Sequence, residues 1–117
     1  MTTKILVIGL DGAVEGFALP GVAKVICKSA GEIVNAIASA DAAVVLVSDL
    51  VAPAGLARVA EAVTRFNRPV IEVRSVAWDG VTNSPLSAAC RGVISGFGAD
   101  GVLAAVRLLQ REAAEER

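Results

Sequence analysis

Residues 7–22 read VIGLDGAVEGFALPGV, and the way this stretch leaves its strand decides the fold. A β-branched run from Lys4 to Ile8 ends at Gly9, and further glycines follow at Gly12 and Gly16. Glycines placed directly after a strand suggest a phosphate loop. A dinucleotide fingerprint, however, needs G-x-G-x-x-G and then an uninterrupted helix whose first turn faces the pyrophosphate. Here the spacing is G-x-x-G-x-x-x-G, and Asp11 puts a negative charge where the phosphate would sit. Pro20 stops the helix early, and the second strand ends in Cys27 and Lys28 rather than in an acidic residue. Gly9 and Gly12 therefore read as a tight strand-to-helix turn with Asp11 as a helix cap, and no cofactor is expected.

Working outward, the runs KILVI (4–8), AAVVLV (42–47) and PVIEV (69–73) read as buried strands, and AKVIC (23–27) as a fourth at an edge, flanked by lysines. Helical patterns lie between them. Ser29 and Glu32 form a capping box before Ile33, Val34 and Ile37. Pro53 suits the first turn of a helix carrying Leu56, Val59, Ala60 and Val63, with Phe66 extending the stripe. Ser84 and Pro85 open a helix with the stripe Leu86, Ala89, Cys90, Val93, Ile94 and Phe97, and Gly98 terminates it. A last helix runs from about Gly101 to Ala114. Alternation of β and α elements predicts a small flavodoxin-like, doubly wound α/β fold with a four-stranded parallel sheet in the order 2-1-3-4. Residues 1–98 form the α/β domain, and residues 99–117 a C-terminal helix that either belongs to it or projects from it.

Composition narrows the function. The 117 residues are 55% hydrophobic but only 3% aromatic, so the core is aliphatic. Eleven basic residues balance twelve acidic ones, which leaves no electrostatic footprint for nucleic acid or an anionic membrane. The opening MTTKILVIG lacks the pattern of a signal peptide, and no run reaches the ~18 apolar residues of a membrane span, so a cytoplasmic protein is expected. Cys27 and Cys90 lie far apart, in no metal spacing, and read as buried thiols. There is no histidine, no G-x-S-x-G elbow and no carboxylate cluster at metal-ligand spacing. Asp11, Asp49 and Asp79 could converge at the strand ends, but caps and turns explain each singly. No catalytic residue and no metal site are expected.

Two family patterns bear on this. VVLVSDLVAPAGLARVAEAV resembles the third strand and following helix of receiver domains, with Asp49 near the phospho-acceptor position, yet the late lysine and the acidic pair of a working receiver are missing. GFALPGV (16–22) resembles the F subunit of V-type and archaeal A-type ATPases, together with SAGEIVNAI, AVVLVSD, RPVIEV and SPLSAACRGVISGFGADGV in order over about residues 4–102. This resemblance implies a non-catalytic component of the central stalk of a rotary ATPase. Such a protein binds the coiled-coil shaft, modulates ATP hydrolysis or synthesis in the catalytic head, and reaches the membrane only through the complex. The candidate contacts are Val102, Val106 and Leu109 on one face of the last helix, which either meets the partner or packs on the protein's own sheet, Arg107 and Arg111 beside it, which either meet acidic groups on a shaft or are solvated, and Trp78 in its loop. Trp78 either anchors a partner or plugs the end of the sheet. The alternatives are a degenerate receiver-like module and a small-molecule-binding flavodoxin-like domain with its ligand near Gly9, Ser48 and Trp78.

Overall fold

A computed structural model describes residues 4–14, 21–81 and 83–115. The elements are β1 (Ile5–Leu10), β2 (Val22–Cys27), α1 (Ala30–Ser39), β3 (Ala43–Val47), α2 (Pro53–Arg65), β4 (Val70–Arg74), α3 (Pro85–Ala89), β5 (Gly92–Ser95) and α4 (Asp100–Glu115). All strand pairs are parallel, in the order β2-β1-β3-β4-β5. The fold is thus the expected doubly wound α/β sheet, with five strands where the sequence suggested four. The short first helix expected before Pro20, and most of GFALPGV, fall on residues outside those described.

The fifth strand is the main correction. Residues 84–97 read as one amphipathic helix, but the chain makes a single helical turn over Pro85–Ala89 and then extends. Val93 and Ile94 sit where a helical stripe and a short β-branched run are indistinguishable by spacing. The sheet resolves the ambiguity. Glu72 pairs with Val93 and Val73 with Ile94, so the open edge of β4 is covered.

The core has two layers. On one face Ile5, Val7, Val45, Val47, Ile71 and Val73 pack against Val102, Ala105, Val106 and Leu109 of α4. On the other, Ile8, Val44, Leu46 and Val70 meet Ile33 and Ile37 of α1, Val59, Ala60 and Val63 of α2, and Leu86 of α3. Burial on both faces explains the continuous apolar runs of the central strands. β2 is an edge strand, as its lysines suggested. The capping box is half realised: Ser29 Oγ accepts from the amide of Glu32 at 3.2 Å. The last helix is no projecting arm, because α4 lies against β1, β3, β4 and β5.

Gly9 answers the question raised by the first loop. A Cβ there would stand 2.5 Å from Val14 Cγ1 and 3.1 Å from both Cβ and the carbonyl oxygen of Val47. The glycine is needed because the chain folds back onto its own strand. Two of the loop amides are also committed to backbone carbonyls: Asp11 N–H donates to Cys27 O at the end of β2 at 2.8 Å, and Ala13 N–H to Leu10 O at 2.9 Å. Gly9→Ala is therefore expected to cost about 1–3 kcal/mol through overpacking. Urea unfolding would measure it, and an unchanged midpoint would contradict the close approach.

Candidate functional site

β4 reads VIEVR, and alternation along the strand puts Val70, Glu72 and Arg74 on the face covered by α2 and α3. Val70 is in the apolar core. Glu72, one pleat further on, has no exposed surface at all. A carboxylate in that position is costly unless hydrogen bonds replace its water. Three donors do so. Ser48, directly after β3, donates Oγ–H to Oε2 at 2.5 Å, and Arg74 donates Nε–H to the same oxygen at 2.7 Å. Ser87 of α3 donates Oγ–H to Oε1 at 2.7 Å.

The third partner is placed by local sequence. Ser84 Oγ accepts from the amide of Leu86 at 3.2 Å and caps α3, with Pro85 in its first turn. Leu86 is fully buried and pins the short helix to the sheet. The next residue, Ser87, then stands over the Glu72–Arg74 face. Arg74 closes the network by donating Nη2–H to Ser87 Oγ at 3.4 Å. One buried carboxylate thus ties the end of β3, the end of β4 and α3 together.

This cluster forms one wall of a cleft of about 590 Å³ lined by Arg74, Trp78, Asn83, Ser84, Ser87 and Ser95, with Val93 on the edge strand adding an apolar side. Arg74 is the only charged side chain among these lining residues. Two of its five N–H groups face Glu72 and Ser87, which leaves donors for a ligand. A guanidinium held this way is suited to a carboxylate or another planar anion. The serines, the asparagine and the indole suit a hydroxylated ligand with an apolar face.

The acids singled out in the sequence do not converge. Both Asp49 carboxylate oxygens accept from the amide of Ser75 at 3.1 Å, so Asp49 caps the turn after β4. Asp79 accepts from the amide of Val81 at 2.8 Å in its own turn. Asp11 is exposed at the end of β1. Among the described residues no group of His, Cys, Asp or Glu could hold a metal ion. Gly9 is closed by Val14 and Val47 rather than open to a ligand. Ser48 is buried against Glu72.

The residues assigned to a partner face are placed differently from one another. Val102, Val106 and Leu109 are between 2% and 5% exposed and belong to this chain's own core. Arg107 and Arg111 are exposed on the opposite side of α4. Trp78 is 56% exposed, so it does not plug the sheet; it lines the cleft. Cys27 is buried and Cys90 half-buried. Burial raises the Cys27 thiol, helped by the Glu32 charge. Burial, with the Glu72 carboxylate nearby, pushes Cys90 up to about 12 against the lowering effect of Arg74. Both stay protonated, and neither is a nucleophile near neutral pH.

Glu72 and Ser87 were not singled out in the sequence. The one local signal was an acidic residue in the middle of an apolar strand, two residues before an arginine. Its partners lie 24 and 15 residues away, which no spacing rule reaches.

No protein-family model and no curated protein matches the chain. Among solved structures, the chain is similar to a type II dehydroquinase from Propionibacterium acnes, with a TM-score of 0.72 and 20% identity over 94% of this chain and 99% of that one. It is also similar to a 3-dehydroquinate dehydratase-like protein from Bifidobacterium longum, with a TM-score of 0.63 and 20% identity over 97% and 98% of the two chains. At this identity the likeness is one of fold. It nonetheless overturns the resemblance to a rotary-ATPase stalk component, because these two near-complete matches are to a type II dehydroquinase and a 3-dehydroquinate dehydratase-like protein. The non-catalytic stalk role, the coiled-coil shaft and catalytic head as partners, and the association with a rotary ATPase fall with it. The receiver-like module and the flavodoxin-like ligand-binding domain give way to the same finding. Among the described residues no helix is long and apolar enough to cross a membrane.

Proposed function

We propose that the chain is a dehydratase acting on a small hydroxylated carboxylate of the 3-dehydroquinate kind, bound in the Arg74 cleft. The observation that carries the proposal is the guanidinium of Arg74. The fully buried Glu72 holds it against a cleft that carries three serine hydroxyls and an asparagine on largely apolar walls, in a chain whose fold matches a type II dehydroquinase and a 3-dehydroquinate dehydratase-like protein over almost its whole length. Arg74 pairs with the substrate carboxylate, the Ser95 hydroxyl and the Asn83 amide take ring hydroxyls, and Trp78 covers an apolar face. The chain contains neither histidine nor tyrosine, so the proton chemistry falls to other groups.

The test is titration of the purified protein with 3-dehydroquinate by calorimetry, together with an ultraviolet assay for the conjugated enone that loss of water produces. Saturable binding with turnover is expected. Arg74→Ala removes charge-assisted hydrogen bonds and is expected to weaken binding roughly 10- to 100-fold. Arg74→Lys should recover only part, because the bidentate fork is lost. Absence of binding in the unmodified protein would overturn the proposal.

A further inference from the structure

We infer that Ser87, backed by the buried carboxylate of Glu72, is the proton-transferring group of this cleft; the inference rests on the dehydratase reading above. Elimination of water from a β-hydroxy carbonyl compound requires a base for the carbon-bound proton and an acid for the departing hydroxyl. Imidazole and phenol are absent from the chain. The lining side chains offer hydroxyls, an amide, an indole and a guanidinium. Of the hydroxyls, Ser84 is spent on capping α3. Ser87 is different. Its own proton already points at a carboxylate, because Oγ–H donates to Glu72 Oε1 at 2.7 Å. Nucleophile-and-base pairs in enzymes are recognised by this geometry: a hydroxyl within hydrogen-bond reach of a base that a third group orients. Ser48 and Arg74 supply the third element by holding Oε2 of Glu72.

The transfer balances without any further reactant. The substrate proton passes to Ser87 Oγ as the Ser87 proton passes to Glu72 Oε1, and the carbon-bound electron pair becomes the enolate. Arg74, which donates to Ser87 Oγ at 3.4 Å, offsets the negative charge that develops there. The enolate then expels the hydroxyl, and the proton on Glu72 returns through Ser87 to make it water. Serine and glutamate end as they began. Because Glu72 has no exposed surface, it exchanges protons with the ligand only through a neighbouring donor, and of its two hydroxyl partners, Ser48 and Ser87, Ser87 is the one that lines the cleft.

A purely structural role for Ser87, tying α3 to β4, would affect folding but not the division between binding and turnover. The decisive experiment therefore measures kcat, KM and exchange of the substrate's carbon-bound proton with deuterium oxide, using 3-dehydroquinate and the full chain. Ser87→Ala is expected to lower kcat and the exchange rate by roughly 100-fold or more with KM changed less than about 3-fold, and Ser87→Thr to restore part of both. Circular dichroism melts of the same variants separate folding from chemistry. If Ser87→Ala folds and turns over at the unmodified rate, the relay is overturned while the dehydratase reading stands. If the unmodified protein binds the substrate without exchange or turnover, or does not bind it, the reading fails and the relay with it.

Discussion

Val106→Asp is expected to abolish folding. Val106 is 2% exposed on the inner face of α4, in one cluster with Val7, Val45, Val47 and Val73. The substitution forfeits roughly 1.5–3 kcal/mol of apolar burial. It also places a carboxyl group where the cluster offers only aliphatic carbon. A neutral buried carboxyl without a partner costs about 1–3 kcal/mol more, and an ionised one costs more than that. The total, on the order of 5 kcal/mol, is comparable to the whole stability of a domain this size. The sign of the pH dependence follows. Burial raises the folded-state pKa of the introduced aspartate above its unfolded value of about 3.9, so the penalty is greatest near neutrality and shrinks as pH falls towards that value. Leu108→Asp, two residues on, is the control: Leu108 is 47% exposed, and its loss is expected to stay within about 0.5 kcal/mol. Far-ultraviolet circular dichroism with urea titration distinguishes them. A folded Val106→Asp protein with an unchanged midpoint would mean that α4 does not pack on this sheet.

The same substitution shows what the sequence could and could not reveal. Val102, Val106 and Leu109 recur at i, i+4 and i+7, and that spacing identifies an apolar face without saying what covers it. The resemblance to a stalk component left the face open between a shaft and the protein's own sheet; the structure assigns it to β1, β3, β4 and β5. The strands around KILVI, AAVVLV and PVIEV were legible because two-sided burial writes an unbroken β-branched run. The helices opened by Ser29 and Pro53 were legible because caps and first-turn prolines are local chemistry. Val93 and Ile94 were misread because four residues are too few to show a period, and only pairing with Glu72 and Val73 makes them a strand. The site was the least legible part. Arg74 and Trp78 lie close in sequence, but the cleft exists only when α3 brings Ser84 and Ser87 across them. Glu72 looked like an interruption in an apolar strand until Ser48 and Ser87 arrived from other elements.

Glu72→Ala is the second large effect expected, and it separates charge from shape in the cluster. Removing the carboxylate strips Ser48, Arg74 and Ser87 of their common acceptor and leaves space at the end of the sheet. Breaking a buried ion pair by deleting one partner costs about 3–5 kcal/mol where the remaining charge stays buried. The Arg74 side chain is 23% exposed and can turn towards water, so the low end, about 3 kcal/mol, is expected here. Glu72→Gln should cost less. Its amide oxygen can still accept from Ser48 and Arg74, and its nitrogen can donate to Ser87, whose hydroxyl accepts as readily as it donates. What remains is the lost charge assistance, about 1–2 kcal/mol. Ser48→Ala probes the same hub from β3 and removes one of the two donors to Oε2. Combined with Glu72→Ala it should cost less than the sum of the single changes, since the hydrogen bond is already gone in either one. Additive losses in that cycle, or a Glu72→Ala protein as stable as the parent, would show that the three elements are held by the apolar core alone. In that case Arg74 and Ser87 would owe nothing to the carboxylate behind them.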